Sequence, residues 1–219
     1  MERLEDLMIG GLKIYQDDDL YCFTSDSILL TKFVSVKKND IVADFCSGSG
    51  IVGLHLYALN PTIKKVYLFE LQKELSSLSK KSVELNGLTE VFDVQNIPIQ
   101  KIGNEFNNYF SLITVNPPFF KKDTQKALDI KIAICREEIT VNLEEIIKIA
   151  SKKLKFGGRF NMVNKSDRLA EIFYLMKSYK LEPKKLQFVK NGDKEPYLVM
   201  VEGVKGGKEG LKILKTLEN

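Results

Sequence analysis

The sequence predicts an α/β fold: a seven-stranded, mostly parallel sheet with an antiparallel last strand and helices on both faces. Three observations predict it. From residue 40 onward, short apolar runs alternate with stretches of helical character, the pattern of parallel strands joined through helices. The final two apolar runs follow one another without a helix between them, which calls for a hairpin and an antiparallel strand. And 219 residues, 44% hydrophobic and 28% charged, suffice for one full core.

The elements follow in order. Within the first 40 residues, "TSDSILLTKFVS" has helical character and is expected to flank or cover the sheet. "IVADFC" (41–46) reads as a buried strand, and the turn "SGSG" leads into the helical "IVGLHLYAL". "KKVYLFEL" (64–71) is a second strand, and "QKELSSLSKKSVELNG" is an amphipathic helix with Gly87 as its C-terminal stop. "EVFDVQN" and "SLITVNPP" are the third and fourth strands. Pro117 and Pro118 end the fourth, because proline has no N–H for the ladder and bars helix from the residue before it. A long irregular region, about 119–137, follows; loops of that length in compact domains tend to serve function. "LEEIIKIASKKLKFGG" is a helix stopped by Gly157 and Gly158, "RFNMVN" the fifth strand, and "SDRLAEIFYLMKSY" a helix with Ser166 as its N-cap. "KKLQFVK" and "YLVMVEGV" close the sheet. The expected organisation is one domain over 1–219: a flank or lid to residue 40, a core over 41–205 and a basic tail over 206–219.

Composition narrows the classes. No run of 18 apolar residues exists, and "MERLEDLMIGG" carries acids where a signal peptide needs a basic start, so a cytoplasmic protein without a membrane partner is expected. Cys22, Cys46 and Cys135 are odd in number, widely spaced and without a metal-ligand pattern; reduced, mostly buried thiols and no metal are expected. The net charge of +4 permits a polyanion partner without requiring one. Only Arg3, Arg136, Arg159 and Arg168 are arginines, so the positive surface is mostly lysine.

Two constellations point to a ligand. In "VADFCSGSGIVG" an acid near the strand end, Asp44, precedes Gly48, Gly50 and Gly53, whose spacing matches G-x-G-x-x-G. Glycine lets backbone approach a ligand closely, and the following helix directs free N–H groups at it. A tight structural turn would look the same. About 20 residues on, Glu70 closes the second strand, where a carboxylate can accept both hydroxyls of a ribose. The two converge on one sheet end and describe a site for an adenosine-type ligand. The single histidine, His55, lies within the first helix of this unit and reads as a packing residue.

At the fourth strand end stands Asn116-Pro117-Pro118-Phe119. It resembles the [D/N/S]-P-P-[Y/F/W] motif of class I, Rossmann-like S-adenosylmethionine-dependent methyltransferases acting on planar amines. The residue types suit that chemistry. An amine conjugated to a purine is a poor nucleophile. The Asn116 side-chain oxygen and the Pro117 carbonyl can accept its two hydrogens and favour a tetrahedral nitrogen. Phe119 offers an apolar face for stacking, worth ~1–3 kcal/mol on comparable base platforms.

Wider stretches, "FTSDSILLTKF" (23–33), "DFCSGSGIVGL" (44–54), "ELNGL" (84–88), "NPPFF" (116–120), "CREEITVNLEEIIKIASKKLKFGGRF" (135–160) and "VEGVKGGKEGLKIL" (201–214), look like the bacterial tRNA adenine-37 methyltransferases. The resemblance implies methylation of the exocyclic N-6 amine of the adenine beside the anticodon of a valine tRNA, with S-adenosyl-L-methionine as donor and a tRNA anticodon stem-loop as partner. It makes Asn116, Pro117, Pro118 and Phe119 the catalytic motif. Asp44, Cys46, Gly48, Gly50, Glu70 and Leu71 become the cofactor cradle, closed by Asn116, with Thr24 and Asp26 on the flank over the methionine end. Lys121, Lys122 and Arg136 become RNA contacts, although Arg136 could equally pair with Glu137 or Glu138.

One departure stands out. The family usually has an acid after the third strand to read the cofactor's adenine, and here the register holds Asn96 and Ile97. The Asn96 amide oxygen and the Ile97 N–H are the expected substitutes. Alternatives are enzymes methylating ribosomal-RNA guanine at N2 or protein glutamine at N5, which usually carry a further N-terminal domain; DNA adenine methyltransferases, which need a target-recognition domain; and a non-catalytic RNA-binding module, for which an intact N-P-P-F would be superfluous.

Overall fold

A computed structural model describes residues 1–20, 22–118 and 140–219. The chain opens with an antiparallel hairpin, β1 (Glu2–Asp6) and β2 (Lys13–Asp17), then helix α1 (Ser25–Phe33). The central unit runs β3 (Ile41–Phe45), α2 (Ile51–Leu59), β4 (Lys65–Phe69), α3 (Lys73–Leu85), β5 (Phe92–Gln95) and β6 (Phe110–Val115). It continues through α4 (Leu143–Lys153), β7 (Leu154–Lys165), α5 (Leu169–Ser178), β8 (Leu181–Lys190) and β9 (Leu198–Lys205), ending in the short β10 (Lys212–Ile213) and β11 (Leu217–Glu218).

The seven principal strands lie in the order β8-β9-β7-β6-β3-β4-β5. β3, β4, β5, β6 and β7 are parallel neighbours, and β9 runs antiparallel to both β7 and β8. The expected mostly parallel sheet with one reversed last strand is therefore present. The tail adds β10 and β11 along the outer edge of β8, in parallel register, so that this edge is paired rather than bare.

Both faces are buried, which is why the strands read as continuous apolar runs. Ala43, Phe45, Phe110, Ile113 and Phe160 pack under α4 and α5 through Ile146, Ile147, Ile172 and Met176. Val42, Val66, Leu68, Leu112 and Val163 face α1, α2 and α3 through Leu30, Leu54, Leu56 and Val83.

Local chemistry explains the element ends. Gly87, at φ 66°, follows the last turn of α3, and Leu88 N–H reaches back to Val83 O at 3.0 Å, closing the helix as expected. α4 opens on a capping box in which Asn142 accepts from Glu145 N–H and the Glu145 carboxylate accepts from Asn142 N–H. Two expectations need correction. α4 stops at Lys153, short of the glycines, because Leu154 is fully buried in the sheet opposite Phe110 and Lys153 Nζ caps the carbonyls of Ile102 and Gly103. Ser166 does not cap α5: its hydroxyl donates to Pro196 O, and a 3-10 turn over Ser166–Arg168 precedes the helix. The N-terminal hairpin was not legible at all. Among the described residues no helix is long and apolar enough to cross a membrane.

Candidate active site

β3 pairs with β4 on one side and β6 on the other, so consecutive units leave it in opposite directions. Clefts in α/β sheets form at such a reversal, beyond the carboxyl ends of the strands. Register then aligns the functional side chains. Phe45 is level with Phe69 and Val115, and Phe69 with Gln95. The next residue on each strand is Asn96, Glu70, Cys46 or Asn116, a row across four neighbouring strand ends. With strands 4.7–4.9 Å apart, that row is roughly 14 Å long. A cleft of about 840 Å³, including its mouth, opens above it, lined by Asp44, Cys46, Gly48, Glu70, Leu71, Ile97, Asn116 and Pro118 among others.

The glycine turn is left-handed at Cys46 (φ 56°), Gly48 (φ 57°) and Gly50 (φ 88°). Its three glycines serve different needs. A Cβ at Gly48 would meet nothing within 4 Å, so this backbone faces open space. A Cβ at Gly50 would lie 3.0 Å from Leu68 Cδ1, and one at Gly53 2.5 Å from Leu68 Cδ2, so those two let α2 approach β4. Gly50 is buried and does not line the cleft.

Glu70 is buried, and burial raises its pKa. Its Oε2 accepts Gly48 N–H and its Oε1 accepts Gln72 N–H, both at 2.8 Å. The Leu71 N–H acts on the carboxylate too, which leaves one of its roughly four acceptor sites for a ligand hydroxyl. Asp44 lies deeper, at 1% exposure. Thr114 Oγ1 donates to its Oδ1 at 2.8 Å, while Oδ2 has no hydrogen-bond partner among the described residues. Burial pushes the Asp44 carboxyl up to about 7, against the opposing pull of the Thr114 hydroxyl and the Gly53 backbone N–H and with a smaller push from Glu70.

At the far end of the row, Asn116 Nδ2 donates to Ser27 Oγ of α1 at 3.0 Å. Pro117 and Pro118 are buried. Thr24 and Asp26 sit at the start of α1 but do not line the cleft; Phe23 and Ser27, their neighbours, do. Asn96 also lies outside the lining. Its Nδ2 donates to the carbonyls of Glu70 at 3.0 Å and Leu71 at 2.9 Å, which ties the ends of β4 and β5 together and leaves its oxygen available. Phe119, Lys121, Lys122 and Arg136 lie outside the described residues. Among those described, no cluster of His, Cys, Asp or Glu could hold a metal ion, and Cys22 and Cys46 are half-buried thiols.

Residues 24–180 match the family described as methyltransferase small domain. The chain belongs to that family. Its curated relatives include proteins named tRNA1(Val) (adenine(37)-N6)-methyltransferase. The one from Dyadobacter fermentans is 24% identical over 161 residues, 72% of this chain and 65% of the relative. That from Porphyromonas gingivalis ATCC 33277 is 35% identical over 97 residues, 44% of this chain and 38% of the relative. The chain thus spans less than two thirds of either. Among solved structures, a predicted O-methyltransferase from Agrobacterium tumefaciens superposes with TM-score 0.69 at 19% identity, covering 88% of this chain and 86% of that one. The M. jannaschii tRNA m1G37 methyltransferase gives 0.67 at 15%, covering 94% and 57%. At these identities the likeness is one of fold.

The methyltransferase small domain match begins at Thr24, so the hairpin before it lies outside the family's extent. That hairpin nonetheless reaches the site. Gln16 of β2, 1% exposed, accepts Phe23 N–H at 3.1 Å and donates to the Ser49 hydroxyl of the glycine turn. One buried amide therefore fixes the entry to α1 against the turn. Gln16 carries no local signal in the sequence; Phe23 and Ser27 do, as direct neighbours of Thr24 and Asp26. His55 is 6% exposed and bonded through Nδ1 to Thr31 Oγ1 at 2.8 Å, a helix-packing role.

Proposed function

We propose that this chain transfers a methyl group from S-adenosylmethionine to the exocyclic N-6 amine of adenine 37 in a tRNA anticodon loop, the tRNA being that for valine. The observation that carries the reading is the amide of Asn116 at the end of the row begun by Asn96, Glu70 and Cys46. It stands beside a glycine turn with open space at Gly48 and a buried acid with a free oxygen. The relatives' names supply the substrate, and the whole chain is read as one domain in the cytoplasm, with 1–40 as its flank and 206–219 as its tail.

The residues present suit the cofactor. Glu70 would take a ribose hydroxyl, the Gly48 backbone would allow close approach, Leu71 and Ile97 would border the adenine with the Asn96 oxygen, and Asp44, Cys46 and the Thr24–Asp26 flank would serve the methionine end. S-adenosylmethionine, when bound, supplies an electrophilic methyl group with its own leaving group. The chain's part is alignment. Asn116 Oδ1 and the Pro117 carbonyl accept the two amine hydrogens, turning the nitrogen lone pair out of the ring, and Phe119 stacks on the base. Asn116 is no base, so the proton passes to water. Lys121, Lys122 and Arg136 are assigned to tRNA phosphates, each such contact steepening the salt dependence of binding.

The test is incubation with labelled S-adenosylmethionine and total tRNA from a strain lacking the gene, followed by nucleoside analysis. Label in N6-methyladenosine is expected; label in guanosine, or only in protein, overturns the assignment. Asn116→Ala should lower methyl transfer by about 100-fold or more, as loss of a transition-state hydrogen-bond partner does, while cofactor binding persists. Undiminished transfer would end the amine-clamp mechanism.

A further inference from the structure

The structure assigns Ser27 a part in the transfer: it is a positioning residue that turns the Asn116 amide so that its oxygen faces the cleft. The inference rests on the proposed amine methylation and deepens it, since neither the motif nor the flank residues read from the sequence include Ser27.

An asparagine amide has two ends of nearly equal size and opposite chemistry. The oxygen accepts and the NH2 donates, and the torsion between them is soft and roughly two-fold. An amine substrate presents N–H donors, so only the oxygen end can hold it. Two features of the chain act on that choice. The first is local. Asparagine side chains commonly bond to the backbone N–H two residues on. Here the next two residues are Pro117 and Pro118, neither of which has an N–H, so that turn cannot consume Oδ1. The second is tertiary. Asn116 Nδ2 donates to Ser27 Oγ at 3.0 Å, and Ser27 is 3% exposed on the buried side of α1. The prolines keep the acceptor free, and in the bond the structure shows the serine oxygen occupies the donor end. What remains to face the cleft is the oxygen.

Ser27 is itself held from two directions. Its N–H donates to Thr24 O, which makes it part of the first turn of α1. The Gln16 bond to Phe23 N–H sets where that turn begins. The hydroxyl thus stands on a rigid element, as a group that must orient another requires.

A double-mutant cycle separates orientation from packing. Ser27→Ala suits a buried helical position and should fold. Loss of one hydrogen bond to a catalytic group should lower kcat about 5- to 10-fold, with KM for tRNA and Kd for S-adenosylmethionine unchanged within about twofold. In Asn116→Asp both ends of the side chain are oxygens, so orientation no longer matters. There, Ser27→Ala should cost less than about twofold. Equal losses in the two backgrounds overturn the inference, because a packing role has no reason to tell Asn from Asp.

A measurement without substrate decides the geometry. In 15N-edited spectra of the full chain, the Asn116 side-chain NH2 pair is identified by its disappearance in Asn116→Asp. One of its protons should exchange with water at least about tenfold faster in Ser27→Ala than in the wild type, having lost its acceptor. Unchanged exchange overturns the inference even if the kinetic cycle cannot be run. A wild type that methylates no tRNA adenine overturns only the reading of function, and the amide exchange still settles whether Ser27 orients Asn116.

Discussion

Replacing Asp44 by asparagine should make the protein more stable at alkaline pH while impairing its site. The folded carboxyl titrates near 7, against an ordinary value of 3.8. The folded state therefore binds this proton more tightly than the unfolded chain. The linked stability is complete below 3.8 and is lost as pH rises to about 7. At about 1.36 kcal/mol per pKa unit, the stability lost relative to acid pH is ~2 kcal/mol at pH 5, where only the unfolded chain is ionised, and ~4 kcal/mol at pH 8, where the folded carboxyl is ionised as well. The asparagine of the variant has no charge to bury and can still accept from Thr114 Oγ1. Its NH2 would occupy the position of Oδ2, which has no partner, at a pH-independent cost of ~1–3 kcal/mol. The difference between wild type and Asp44→Asn should accordingly shift in favour of the variant by ~2 kcal/mol between pH 5 and 8. In a chain of this size that is roughly 4–8 °C in relative Tm. Denaturant or thermal unfolding of both proteins across that range measures it. A stability difference independent of pH would show that Asp44 does not titrate there, and the argument from its burial would be wrong.

Three further outcomes follow from the same geometry. Gly48→Ala should cost only about 1–2 kcal/mol of stability, the strain of a left-handed Cβ in open space, yet weaken S-adenosylmethionine binding by about tenfold or more in calorimetry. Gly53→Ala should do the reverse, costing about 1–3 kcal/mol by forcing α2 off Leu68 with little direct effect on binding; matching profiles for the two would refute the division of roles. His55 is held neutral, its pKa lowered first by burial and then by Lys32. Its contribution to stability is present above about pH 6.5 and is lost as pH falls through the lower folded value. Because Thr31 Oγ1 already donates to Ile28 O, His55 Nδ1 must be the donor between them, so a His55→Gln variant should lack that acid-side slope in pH-dependent unfolding.

The sheet was legible because its signals are local. Each principal strand is an apolar run, the crossovers through α2, α3, α4 and α5 each show a helical period, and the proline pair after Asn116 ends a ladder in any context; β5 alone passes to β6 through 3-10 turns. Boundaries failed where tertiary contacts overrode local preference, as at Leu154, drawn into the sheet opposite Phe110, and at Ser166, whose hydroxyl serves Pro196 instead of a helix end. Within the site, Asp44, Cys46, Gly48, Glu70, Leu71, Ile97, Asn116 and Pro118 were named from the sequence and line one cleft, since motifs at the carboxyl ends of parallel strands meet at one edge. Phe23 and Ser27 were missed by one residue each, because a helical stretch does not show which of its faces will be turned inward.

By itself, then, the sequence determined which backbone positions could bend, which had no N–H to give, and which strand ends would carry an acid or an amide, for these are properties of single residues and their spacing. Only the tertiary structure decided how those groups point. Glu70 is held by the N–H of Gly48 and Gln72, Gln16 bolts the hairpin to the glycine turn, and Ser27 grips Asn116 from 89 residues away. Orientation depends on partners distant in sequence, and no local pattern records which partners folding will bring together.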